Sequence, residues 1–180
     1  MGNFDKRIGV ISIITKMKPG LGKTAMMKLI FLLQVVCKIP LGYDFNIYTY
    51  GPYSSRVMED IDWARHQNII SVETVVYHTE HCGYSLKPSN NIEKIIKKES
   101  DFISTYQSDI EKVIRLFGNK AAKELELLTT IVYLHRNYIM NNWNCNREEI
   151  SKNVHEIKPH FDISEIQREY SYLDELGFLK

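Results

Sequence analysis

The chain has 180 residues, 44% apolar and 25% charged, with a formal net charge of +1. That length suits one ordinary domain or two small ones, and the composition excludes a disordered chain. The near-zero charge excludes a general attraction to nucleic acid, although residues 1–66 carry +4 and residues 67–180 carry −3.

The opening stretch, "MGNFDKRIGV", has neither the basic region nor the apolar run of an export signal. Apolar residues at 8, 10, 11, 13, 14 and 17 predict a helix over 8–17. The next segment, "KPGLGKTAMM", ends in the Gly-Lys-Thr of a phosphate-binding loop, so the alternatives must be weighed. A full loop needs a glycine five residues before Gly22, where Met17 stands, and Pro19 removes an amide donor from the cradle. A strand should also lead in, and the upstream spacing is helical. The sequence therefore predicts a second helix over 24–37, capped by Thr24, and no nucleotide cofactor. Its run "AMMKLIFLLQVVC" is apolar at 11 of 13 positions. A membrane span needs about 18, so a buried helix is expected, with no membrane partner.

Alternation through Phe45, Ile47 and Thr49 predicts a short strand, and Gly51-Pro52 a turn. Ser54 or Ser55 then caps a helix to about Gln67, with Val57, Ile61 and Ala64 on its apolar stripe. "IISVETVVYH" and "GYSLKP" read as two strands of a hairpin. Helix, helix, helix, hairpin is the order of a winged helix-turn-helix. A long helix is predicted over 91–117, ended by Gly118-Asn119, and its stripe offers a homodimer surface as one alternative. Helices over 121–139, 146–156 and 163–176 complete the chain. The third helix echoes the last at an offset of 109, Val57 matching Ile166, Ile61 matching Tyr170 and Ala64 matching Leu173. The expected fold is mainly α (α+β), a winged-helix-like domain over 1–90 with a small β-hairpin. A helical region over 91–180 follows, with a second degenerate winged-helix-like half as an alternative.

Candidate chemistry is sparse. His78, His81 and Cys82 contain metal-ligand types, but no second cluster completes a four-ligand site, so no metal is expected. Cys37, Cys82 and Cys145 show no CxxC pairing and no evident base, which argues against a disulfide framework or catalytic thiol and for a reducing cytoplasm. Adjacent carboxylates such as Glu59-Asp60 diverge on a helix and read as a hydrated face. No catalytic residue is assigned.

Met27, Lys28, Leu29, Ile30, Phe31, Leu33 and Gln34, followed by Phe45, Tyr48, Tyr50, Gly51, Pro52, Tyr53 and Ser54, carry a resemblance. This pattern resembles the YwgA-like group of small bacterial and archaeal proteins with a Tyr-Gly-Pro-Tyr-Ser signature, and is distantly similar to the Panacea antitoxin domain. The resemblance covers about residues 22–88 and implies a helical, partly winged-helix protein without a catalytic site.

The expected function is that of a non-catalytic protein-interaction or regulatory protein, antitoxin-like or defence-associated. Tyr50, Gly51, Pro52, Tyr53, Ser54 and Arg56 are the expected partner contacts. The alternative is a winged-helix DNA-binding regulator using a basic edge of Lys16, Lys18, Lys23 and Lys28. The third helix, with Glu59 and Asp62 against Arg56, reads as too acidic for phosphates.

Overall fold

The computed structural model describes residues 3–76 and 82–180, so His78 and His81 lie outside the described residues. It divides into two units. One runs to Lys120 without Asn46–Tyr53; the other joins Asn46–Tyr53 to Ala121–Lys180.

In the first unit, α1 (Asn3–Met17) is more than an amphipathic stripe. Ile8, Val10, Ile11 and Ile14 are buried, and so are Ser12 and Thr15. Their hydroxyls donate to Ile8 O at 2.7 Å and Ile11 O at 2.8 Å, which satisfies two buried polar groups within the helix. α2 (Lys23–Val35) begins one residue before the expected Thr24 cap. Its cap is Gly22, with no side-chain hydrogen bond, so Thr24 lies in the first turn. Between them Gly20 takes φ +90°, and Leu21 pairs as an isolated bridge with Leu86. A helix stands where a phosphate loop would need its leading strand.

α3 (Ser55–His66) buries Val57, Ile61 and Ala64, the predicted stripe, and also Asp60. β3 (Ile70–Val76) pairs antiparallel with β4 (Cys82–Pro88), from Ile70 opposite Pro88 to Val76 opposite Cys82. The unit thus runs helix, bridge, helix, helix, hairpin.

The long helix expected over 91–117 is two helices, α4 (Ile92–Lys98) and α5 (Ser100–Phe117), parted at Glu99. The break lets both pack on α1. A Cβ on Gly9 would lie 2.9 Å from Glu99 Cβ, so the junction seats where α1 has no side chain. Ion pairs Lys16–Glu93 at 2.6 Å and Lys98–Asp5 at 3.0 Å flank it. Ile103, Ile110, Val113 and Phe117 of α5 are buried within this chain. Residues 91–120 therefore belong with the first unit, and no boundary falls at residue 90.

The second unit holds a minimal sheet, β1 (Asn46–Tyr48) antiparallel to β2 (Gly51–Tyr53), with α6 (Ala122–Met140), α7 (Arg147–Ile157) and α8 (Ile163–Glu175). Gly51-Pro52, expected as a turn, is strand; the turn is Thr49-Tyr50. α8 buries Ile166, Tyr170 and Leu173, the positions matched to the α3 stripe. Among the described residues, no helix is long and apolar enough to cross a membrane.

Candidate interaction site

The tyrosine-rich stretch is a hairpin whose Gly51-Pro52 segment is buried and whose tyrosine rings are not. Gly51 supplies the left-handed step after the turn, at φ +84°. Its α-carbon also comes close to α6: an added Cβ would meet Thr130 Oγ1 at 3.1 Å and Glu126 O at 3.3 Å. Gly51 and Pro52 are buried, whereas Tyr48 is 61% and Tyr50 69% exposed, and Tyr53 also reaches solvent. The rings of Tyr48 and Tyr53 meet edge to face, 5.3 Å between centroids.

Beneath the turn lies an ion pair that sequence reasoning missed. Lys158 Nζ donates to Tyr48 O at 3.0 Å and to Thr49 O, anchoring both carbonyls at the bend. It also sits 2.9 Å from Glu126 Oε1, and the two side chains are only 5% and 7% exposed. That carboxylate oxygen nevertheless lacks an aligned hydrogen-bond donor, so the contact is an ion pair without a hydrogen bond. His160 Nε2 stands 3.4 Å from the same oxygen. Beside β1 a pocket of about 390 Å³ is lined by Ile47, Tyr48, Thr49, Ile157, Lys158 and His160. Lysine usually reads as surface, and Lys158 meets Tyr48 across 110 residues of sequence, so no local signal announces the arrangement.

Further along the same unit, His135 packs against Tyr170, ring centroids 5.8 Å apart, and burial followed by the Arg136 charge lowers its pKa. Burial pushes the Cys37 thiol up to about 11 and raises that of Cys145, which holds both as thiols. Among the described residues, no group of three or more His, Cys, Asp or Glu could hold a metal ion.

The first unit carries a closed polar cluster. Asp60 Oδ2 accepts from Arg7 Nε at 2.7 Å and from the Tyr43 hydroxyl at 2.7 Å. Gln34 holds Tyr43 in place from both sides, donating to its carbonyl at 2.7 Å and accepting its amide at 2.8 Å. Gln34 and Tyr43 thus act as structural clamps.

The expected contact residues fare unequally. The unit boundary falls between Tyr53 and Ser54. On its second-unit side Tyr50 and Tyr53 are exposed, with Gly51 and Pro52 buried beneath them. On its first-unit side Arg56 is exposed and Ser54 is buried. Gly51, Pro52 and Ser54 are thus buried, and of the six residues Tyr50, Tyr53 and Arg56 reach the surface.

The four lysines do not form one free basic edge. Lys16 pairs with Glu93, Lys18 donates to Asn119, and Lys23 pairs with Asp62 at 3.0 Å while lying over the Tyr84 ring. Lys28 is 2% exposed, its face of α2 being turned inward. The acidity expected of α3 is also reduced. Asp60 is buried on Arg7, Asp62 is paired with Lys23, and Arg65 joins Arg56 at the surface against Glu59.

No protein-family model matches the chain, and no curated protein matches it significantly.

Proposed function

We propose that this is a cytoplasmic, non-catalytic regulatory protein that binds a protein partner through the tyrosine hairpin, in the antitoxin-like manner that the Tyr-Gly-Pro-Tyr-Ser resemblance implies. The observation that carries the reading is the pairing of a fixed backbone with exposed rings. Tyr48, Tyr50 and Tyr53 stand in solvent while Lys158 holds the turn carbonyls beneath them. Tyrosines presented this way lose little conformational freedom on binding and combine apolar area with a hydroxyl, which makes them good interface anchors.

The test is capture of partners from the native host with the full chain as bait, wild type against a Tyr50→Ala/Tyr53→Ala double variant. Capture should fall about ten-fold or more, the effect of removing an interface anchor. Capture of every partner at wild-type strength by the double variant would remove the reading.

A second reading, DNA binding by a winged-helix-like first unit, is favoured by Arg56 and Arg65, both exposed on α3. Affinity for duplex DNA should then weaken steeply with salt, and each Arg→Ala change should lower that slope by about one. Absence of binding at low salt would eliminate it.

A further inference from the structure

The pocket beside β1 is lined by three consecutive residues, Ile47, Tyr48 and Thr49. Ile47 and Tyr48 belong to the strand and Thr49 to the turn; successive side chains of a strand point to opposite faces, so a cavity touching both Ile47 and Tyr48 reaches the strand's edge. The register says which groups that edge presents. Ile47 lies opposite Pro52, and proline has no N–H, so the two cannot form the doubly hydrogen-bonded kind of antiparallel pair. That kind falls to Asn46 with Tyr53 and to Tyr48 with Gly51. The amide and carbonyl of Ile47 therefore point away from β2, toward the free edge. Among the described residues the sheet is β1 and β2 only, so no strand of theirs pairs with this edge.

We propose that the outer edge of β1 receives an extended segment of the partner protein, one residue of which pairs its main chain with Ile47 while an apolar side chain enters the pocket. This inference rests on the reading of the hairpin as a partner surface and names how the partner is held. An outward N–H and C=O on one residue present a donor and an acceptor at the spacing of a peptide unit, and the main chain of an added strand answers both. The walls select the side chain. Ile47 and Ile157 are apolar, Ile157 is open to solvent, and Lys158 already directs itself to Tyr48 O, Thr49 O and Glu126. A charged residue would find the lysine engaged, whereas a leucine, isoleucine or valine would cover exposed apolar surface.

The experiment uses the full chain and a displayed library of random dodecapeptides, with enriched peptides resynthesised for titration. Expected are peptides with an apolar residue at a fixed position, and protection of the Ile47 amide from hydrogen exchange when they bind. N-methylation of the peptide residue that pairs with Ile47 should weaken binding about three- to ten-fold, the loss of one main-chain hydrogen bond. Ile47→Pro should weaken it comparably, and Ile47→Val should not. The N-methyl peptide makes the test independent of how well Ile47→Pro folds. Binding indifferent to N-methylation but abolished by Tyr50→Ala/Tyr53→Ala would overturn the edge inference and leave the hairpin reading standing. No enrichment over a Tyr50→Ala/Tyr53→Ala/Ile47→Pro control would overturn both. A dimer of this chain that Ile47→Pro dissolves would replace the partner segment with a second copy and overturn the proposal.

Discussion

In the first unit Asp60 receives Arg7 and the Tyr43 hydroxyl, both at 2.7 Å, and the cluster is closed. In the second, Glu126 faces Lys158 at 2.9 Å, but its Oε1 is without an aligned donor and the lysine's hydrogen bonds go to a hairpin turn. Both units bury an ionic pair, a costly arrangement unless the remaining lone pairs and protons are satisfied. The two pairs serve different places in the fold. The closed cluster knits α1, α3 and the segment after α2 into a core. The incompletely satisfied pair underlies a pocket and an exposed aromatic loop, where a fold can hold a binding surface.

The comparison can be tested one unit at a time, because Trp63 lies in the first and Trp143 in the second. Trp143→Phe and Trp63→Phe backgrounds therefore report each unit separately by fluorescence during urea unfolding. The largest effect should come from Asp60→Ala, which strands a buried guanidinium and should destabilise the Trp63-reported transition by about 3–5 kcal/mol. Lys158→Met should cost the Trp143-reported transition less, about 2 kcal/mol for hydrogen bonds from a charged donor. Adding Glu126→Gln to Lys158→Met should recover part of that loss. If Lys158→Met costs as much as Asp60→Ala, the distinction between closed and open pairs fails. Gly51→Ala should follow at about 1–2 kcal/mol, since a left-handed backbone and the approach of Thr130 both oppose a Cβ.

The smallest effects are in pH, and they have opposite signs in the two units. His135 is held below its ordinary value of 6.5, so the unfolded chain takes up the proton first. Its contribution is complete above about pH 6.5 and is lost as pH falls through that value toward the lower folded one. Tyr43 is pushed the other way, by burial and then by Asp60, so its contribution is complete below about pH 10 and fades as pH rises past it. The Trp143 midpoint should decline on the acid side, less so in His135→Gln. The Trp63 midpoint should decline on the alkaline side, less so in Tyr43→Phe. Matching pH profiles for the two probes would remove this part of the contrast.

What could be read from the sequence was periodic. The stripe Val57, Ile61, Ala64 is buried as its spacing required, because a helix with one apolar face has one way to turn it. The apolar run after Lys23 was legible as a buried helix for the same reason. The break at Glu99 was not, since Ile92, Ile95, Ile96, Phe102 and Ile103 keep a helical spacing across it. The junction packs on Gly9, 90 residues away, a kind of contact that periodicity cannot report. Strand β2 was hidden because Gly-Pro is ordinarily turn chemistry, and only its approach to α6 gives those two residues a different use. The tyrosine cluster was legible as a composition; the burial of Lys158, Glu126 and Asp60 was not. Each is charged and would be read as hydrated, and each is buried because a partner distant in the chain neutralises it.

The placement of Asn46–Tyr53 has a consequence for biosynthesis. The hairpin leaves the ribosome about 70 residues ahead of α6, a wait of roughly 4 to 14 s at the usual elongation rates of 5–20 residues per second. Through that interval the hairpin lacks α6 and Lys158, so the nascent chain passes through a stage in which the tyrosine loop exists before its support. A chaperone or an early-arriving partner would meet it there first.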